Sequence, residues 1–371
     1  MANVGRQPDL VAVLGGGQLG RMLGLAGIPL GLRFRFLDPS AEAPAQAVGL
    51  LVEGALGDQA ALEAASAGAA VVTYEWEGVP ADGARFLERG GHTVLPPPAA
   101  LDVAQDRLAE KTLFRRLGIG TPEFAAVDDR AGLDVALEQI GSPAVLKTRR
   151  GGYDGKGQRI VRADADVADA WEALGGVPLI LERLVPFDRE VSILAVRGRD
   201  GATAHWPLVE NEHRDGILRV SRAPAPGAGA ALEAQAAKYA DSLLDELSYV
   251  GVLAIELFQV GDDLLANELA PRVHNSGHWT IEGAVTSQFA NHLRAVVGWP
   301  LGATDAVAPS GMVNCISAMP DPDAILALPG AHLHDYGKAP RPGRKLGHVT
   351  VLASSAAERD ELVERAAAML P

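Results

Sequence analysis

Short apolar runs alternate with helical patterns through the first hundred residues. Leu10 to Leu14 is an apolar run followed by Gly15-Gly16-Gly17-Gln18-Leu19-Gly20 and a helical stretch from Arg21, the order strand, glycine turn, helix. Arg33 to Leu37 reads as the next strand, closing on Asp38-Pro39, and Ala69 to Thr73 as another, ending in Tyr74-Glu75-Trp76-Glu77. Strands that alternate with helices predict a mainly parallel sheet covered by helices. Pro96-Pro97-Pro98 interrupts the pattern and sets a boundary near residue 100.

Beyond it, Asp102 to Leu117 predicts one charged helix. Pro143 to Lys147 reads as a strand, Arg149 to Gln158 as a glycine-rich loop, Arg159 to Arg162 as a strand, Ala163 to Leu174 as a helix and Pro178 to Val185 as a strand. This is a small α+β unit. From about Arg189 longer strands mix with helices. The fold class is α/β.

Bulk properties narrow the chemistry. The 371 residues suffice for two or three domains with hydrophobic cores. A formal net charge of -14 disfavours non-specific binding to nucleic acid or anionic membrane, so any anionic substrate needs locally gathered bases. The single cysteine, Cys315, rules out an internal disulfide framework and fits a reducing cytoplasm. No targeting segment is visible, and no apolar run approaches the roughly 20 residues that cross a bilayer.

Gly15-x-Gly17-x-x-Gly20 matches the dinucleotide fingerprint, with Asp38 where a ribose-binding acid would sit, so a nicotinamide dehydrogenase is one reading. The motif itself reports only a tight turn with amides exposed at a helix N-terminus. The rest of the chain points to phosphoryl transfer. Lys147 ends a strand and precedes Thr148-Arg149-Arg150-Gly151-Gly152-Tyr153-Asp154-Gly155-Lys156-Gly157-Gln158, where four glycines let backbone amides approach a polyphosphate. No Gly-Lys-Ser/Thr opens a helix there, so it is not a Walker loop. Glu182 to Val185 suit adenine recognition through the backbone, and Glu190 suits a ribose diol.

Two strands carry the sharpest signal. Val252 to Phe258 holds Glu256 among apolar neighbours, and Leu264 to Ala270 holds Glu268. A hairpin centred on Asp262 sets the two carboxylates opposite each other, a repulsive arrangement that a hard cation such as Mg2+ relieves. The loop Ala270-Pro271-Arg272-Val273-His274-Asn275-Ser276-Gly277-His278-Trp279 reads as an anion site; His274 and His278 lie four apart, but no cysteine pair or HExxH accompanies them to suggest zinc. Asn211 to Leu218 sets polar groups beside a turn. Tyr336-Gly337-Lys338 and Arg341 to His348 concentrate bases suited to a substrate phosphate, or form a basic surface turn.

The strings GGGQLGRM, FLDP, TYEWE, QDRLAEK, KTRRGGYDGKGQ, NEHRDGILR, NELAPRVHNSGHWT and GRKLGH, spread from Gly15 to about Thr350, resemble the N5-carboxyaminoimidazole ribonucleotide synthetase family of the ATP-grasp superfamily. Val273 departs from the family's usual proline. The resemblance implies an ATP-grasp fold with an N-terminal Rossmann-like domain (1–101), a linker helix and lid (102–185) and a C-terminal ATP-grasp domain (186–371). It implies that ATP meets Arg107, Lys147, Gly152, Tyr153, Asp154, Gly155, Lys156, Gly157, Gln158, Glu182, Arg183, Leu184, Val185, Glu190, His213, Asn267 and Glu268. Mg2+, or Mn2+, would sit on Glu256 and Glu268. Aminoimidazole ribonucleotide would meet Gln18, Glu75, Tyr153, Asp154, Arg272, His274, Asn275, Lys338, Arg344 and Lys345, with Asp154, Lys338, Tyr153 and Arg272 in catalytic roles.

The implied reaction is ATP- and bicarbonate-dependent carboxylation of 5-aminoimidazole ribonucleotide through carboxyphosphate, in purine synthesis, by a cytoplasmic homodimer. A formate-using transformylase, biotin carboxylase and a non-catalytic nucleotide sensor are the competing readings.

Overall fold

The computed structural model describes residues 9–152 and 155–371. Its first sheet is parallel: β1 (Leu10–Leu14), β2 (Arg33–Asp38), β3 (Leu50–Glu53) and β4 (Val71–Tyr74) lie in the order β3-β2-β1-β4. The expected parallel sheet is therefore present. β3 carries no clear periodic signal because it is short and none of its residues is buried.

The second sheet is antiparallel and contains β5 (Phe124–Val127), β6 (Ala144–Thr148), β7 (Gln158–Val161) and β8 (Leu179–Arg183), ordered β5-β8-β6-β7. Helices Arg130–Ile140 and Ala165–Leu174 pack on it through Leu133, Ala136, Ile140, Val167 and Ala170, giving this unit a core of its own.

The third sheet holds β9 (Arg189–Arg197), β10 (Thr203–His205), β11 (Val209–Arg214), β12 (Ile217–Ala223), β13 (Gly251–Val260), β14 (Asp263–Ala270), β15 (Ser310–Ile316), β16 (Ala331–Asp335) and β17 (Lys345–Leu352). The order is β14-β13-β9-β11-β12-β15-β17-β16, with β10 beside β9. Its apolar face joins the first sheet: Val11, Phe34 and Leu23 share a cluster with Leu194, Val252 and Leu293. The first and third sheets thus form one body, and the second is attached to it through a separate core, the arrangement a hinged lid requires.

The single charged helix expected over 102–117 is two helices, Pro98–Ala104 and Arg107–Arg116. Pro98 begins the first of them, as proline at a first helical position can. Asp106 stops it: its extended backbone turns the chain, and its carboxylate accepts from Leu108 N (3.0 Å) and Ala109 N (3.4 Å) to cap the second helix. No helix among the described residues is long and apolar enough to cross a membrane.

Candidate active site

Side chains link the three sheets here: Lys111 joins β14 to Glu182 on β8, and Lys338 meets Gln18 beside the first sheet. Glu256 and Glu268 are cross-strand partners on β13 and β14. The route to that pairing differs from the symmetric hairpin expected. Val260 pairs with Asp263, Phe258 with Leu265 and Leu257 with Ala266, a register that would set Glu256 against Asn267. A β-bulge at Asn267 shifts the register by one residue and delivers Glu268 instead. Asn267 joins Glu256, Glu190, Asn211 and His213 in lining a small cavity behind the pair. Burial, then the charge of Glu268, pushes the Glu256 carboxyl up to about 7. Such an all-oxygen pair, energetically uneasy without a cation, fits Mg2+ or Mn2+.

His213 binds Glu190 through Nδ1. Burial opposes charge on that ring, but the Glu190 hydrogen bond and the charge of Glu256 hold its pKa above the ordinary value. Beneath them runs a buried hydrogen-bond chain. Ser221 Oγ donates to Asn211 Oδ1 (2.8 Å), Asn211 Nδ2 to Ser192 Oγ (2.9 Å) and Ser192 Oγ to Ser276 Oγ (2.8 Å). Ser276 Oγ lies 2.9 Å and its amide nitrogen 3.3 Å from His274 Nδ1. An amide can only donate, so Nδ1 is the acceptor and the neutral ring carries its proton on Nε2, 3.4 Å from Glu256 Oε1. His278 points elsewhere, with its ring 4.9 Å from that of His348, so the two histidines serve different surroundings.

On the lid, Lys147 Nζ lies 2.9 Å from Glu182 Oε2. Glu182 is buried, and Lys111 approaches the same oxygen at 3.6 Å. Burial works against its charge, yet Lys111 and then Lys147 hold its pKa down at about 2. Arg107 grips the root of the glycine loop, donating to Thr148 O (2.8 Å) and Gly152 O (3.0 Å). The far end of the loop reaches the β11–β12 turn: Gly155 has φ +73°, and a Cβ there would lie 3.2 Å from Gly216 Cα. Tyr153 and Asp154 lie outside the described residues. Of the remaining ATP-side positions, Arg183 ion-pairs at the surface with Glu123 (2.5 Å), and Leu184 N donates to Pro143 O (3.1 Å).

The side expected to take the aminoimidazole is assembled from distant segments. Lys338 Nζ donates to Gln18 Oε1 (2.7 Å) and lies 3.3 Å from Lys345 O. Arg344 donates to Ala339 O (3.1 Å). Arg272 binds Glu77 through Nε, and both amide atoms of the Asn275 side chain are buried without a hydrogen-bond partner. Glu75 occupies the first glycine turn, accepting from Gly17 N (2.9 Å) and Gly20 N (3.0 Å), while Asp38 accepts from Gly16 N (2.8 Å). The amides that would hold a dinucleotide pyrophosphate are already bound to the chain's own carboxylates, which removes the dehydrogenase reading.

Comparisons with known proteins agree with this geometry. A ribonucleotide synthetase preATP-grasp domain matches residues 9–105, an ATP-grasp domain 112–289, and a phosphoribosylaminoimidazole carboxylase C-terminal domain 310–362. The N5-carboxyaminoimidazole ribonucleotide synthase of Pseudomonas aeruginosa is 51% identical over 361 residues, covering 95% of this chain and 99% of that protein. The chain belongs to the N5-carboxyaminoimidazole ribonucleotide synthase family.

Solved structures within the family superimpose closely. The N5-carboxyaminoimidazole ribonucleotide synthetase from Thermus thermophilus has a TM-score of 0.94 at 56% identity, covering 97% of this chain and 98% of its own. The Aspergillus clavatus N5-carboxyaminoimidazole synthase, solved with ADP and 5-aminoimidazole ribonucleotide, has a TM-score of 0.89 at 32% identity, covering 97% and 99%. Against that family background, the motif reading overlooked Glu110, Lys111 and Glu77. Arg107, Glu110 and Lys111 lie at helical spacing on one face, a pattern that in sequence reads as a solvated charged stripe.

Proposed function

We propose that the cleft between the lid sheet and the third sheet takes ATP, and that its opening toward the first sheet takes the aminoimidazole. The chain is an ATP-dependent carbon–nitrogen ligase that carboxylates 5-aminoimidazole ribonucleotide to N5-carboxyaminoimidazole ribonucleotide, giving ADP and phosphate, in purine biosynthesis. The observation that carries the residue assignments is the opposition of Glu256 and Glu268, linked to the lid's Lys147 through Lys111 and Glu182.

A bicarbonate oxygen attacks the γ-phosphorus of ATP, the bond to ADP breaks, and carboxyphosphate forms. Lys147, Arg107 and the loop Gly152 to Gln158 hold the polyphosphate, and Glu182 to Val185 with Glu190 and His213 take the nucleoside. Positioning and charge stabilisation of this kind supply most of the catalysis in phosphoryl transfer. Glu256 and Glu268, with Asn267, hold Mg2+, which when bound neutralises phosphate charge.

The exocyclic amine then attacks the carboxyl carbon, the bond to phosphate breaks, and the amine gives up one proton. Asp154 is the sequence-based candidate to receive it. Lys338 faces the new carboxylate, and Gln18, Glu75, Arg272, His274, Asn275, Arg344 and Lys345 surround the ribonucleotide. Carboxyphosphate hydrolyses readily, so the lid excludes water. The division at residues 101 and 185, a homodimer and a cytoplasmic location complete the proposal; exposed Leu25, Ile28 and Leu30 offer apolar area for a second copy.

Phosphate release with each of ATP, bicarbonate and the ribonucleotide omitted in turn tests the reaction. Release that continues at the full rate without the ribonucleotide would sink it. Asp154→Ala should impair carbamate formation more than nucleotide affinity.

A further inference from the structure

β14 is the terminal strand of its sheet, so one row of its backbone groups has no strand partner. Side chains from helix Arg107–Arg116 and the loop after it fill that row. Glu110 Oε1 accepts from Leu269 N (2.7 Å), while Lys111 Nζ donates to Asn267 O (2.5 Å) and Ala266 O (3.1 Å). Thr121 Oγ1 donates to Ala266 O (2.9 Å), and Gly120 O accepts from Ala266 N (2.6 Å). One side chain therefore holds the carbonyl of the bulged residue, and its neighbour holds the amide just past Glu268.

A bulged residue drops out of the ladder, and its backbone needs another partner when buried. An ammonium has three N–H groups and can serve two carbonyls and a carboxylate at once. Lys111 hydrogen-bonds two carbonyls and forms an ion pair at 3.6 Å with Glu182, whose other partner is Lys147 on the lid. Buried ion pairs return little net stability, so a lysine only 1% exposed is better explained by what it orients.

We propose that Glu110 and Lys111 are positioning residues for the divalent cation, clamping the Asn267–Leu269 bulge so that Glu268 faces Glu256 and, through Glu182, tying that placement to Lys147. The proposal rests on the assignment of Glu256 and Glu268 to the metal.

The test is Mn2+ affinity by electron paramagnetic resonance, on the full chain with a non-hydrolysable ATP analogue. Lys111→Met is expected to weaken Mn2+ binding by about tenfold, in the range seen when partners of metal ligands are removed. Nucleotide affinity in EDTA should fall by clearly less than Mn2+ affinity does, a split that general destabilisation does not produce. Glu110→Leu strips the acceptor from Leu269 N and should weaken Mn2+ binding as Lys111→Met does, while Glu110→Gln, which keeps an acceptor, should restore most of it; parental Mn2+ affinity in Glu110→Leu overturns Glu110's part in the clamp. Thr121→Val loosens the same edge ahead of the bulge and should leave Mn2+ binding unchanged.

Glu268→Gln anchors the comparison. If it loses Mn2+ while Lys111→Met does not, the clamp is refuted and the metal site stands. If Glu268→Gln itself keeps Mn2+, the metal assignment fails and takes the clamp with it. An equal loss in Thr121→Val would also overturn the clamp, because any loosening of the edge would then suffice. Should Lys111→Met not fold, Lys111→Leu, equally without a donor, replaces it; parental Mn2+ affinity there overturns the proposal, and a loss supports it.

Discussion

Lys338 and Gln18 are separated by 320 positions in the chain and meet at 2.7 Å, joining the strand-rich C-terminal part to the helix that follows the first glycine turn. Burial, then the nearby Arg344, brings the Lys338 pKa down to about 8. The amine is therefore charged below that pH and neutral above it. With the ribonucleotide limiting, kcat/KM should fall as pH rises through about 8, and Lys338→Met should abolish that limb while lowering the plateau. A steady-state pH profile checks both.

Glu268→Gln keeps the size of the side chain but removes the charge opposing Glu256. ADP formation should fall by roughly 100-fold, the scale of losing one preorganised charge at a phosphoryl-transfer centre. Circular dichroism should stay at the parental level and the melting temperature at or slightly above it, since Glu268 is exposed and its charge opposes that of Glu256. Undiminished ADP formation would contradict the metal role.

The lid's approach to the third sheet can be blocked at one atom. Gly155→Ala adds a Cβ pressed against Gly216 Cα and forces a left-handed backbone conformation, worth roughly 1–2 kcal/mol of strain. The KM for ATP should rise about tenfold, because about 1.4 kcal/mol corresponds to a factor of ten. Tm should fall by no more than a few degrees, since the strain is local to the loop and the lid core lies elsewhere.

Glu75→Leu strips the acceptor from two amides, Gly17 N and Gly20 N, at a buried site. Urea unfolding should show a loss of about 1–3 kcal/mol. Glu75→Gln, which retains one carbonyl acceptor, should lose less.

Some of this is legible in residue order. The parallel first sheet follows from alternating apolar runs, and the lid from its strand, loop and strand pattern. The Glu256–Glu268 pairing is anticipated by a hairpin symmetric about Asp262, yet it exists because a tighter turn and a bulge at Asn267 offset each other. Spacing alone does not reveal a bulge, since the extra residue is specified by what packs against the edge. For the same reason Glu110 and Lys111 look like a wet helix face in sequence: only the tertiary fold shows that a free strand edge lies against them. The break at Asp106 is written in the sequence as a capping residue, and the surrounding charged periodicity masks it.

Glu75's hold on the glycine turn has a bearing on inhibitor design. A compound built to mimic a nucleotide's pyrophosphate would be drawn, by motif alone, to the turn after β1. There it would have to evict a resident acid and replace both of that acid's amide bonds before gaining anything. Molecules aimed at Lys338 instead displace only the neutral amide of Gln18.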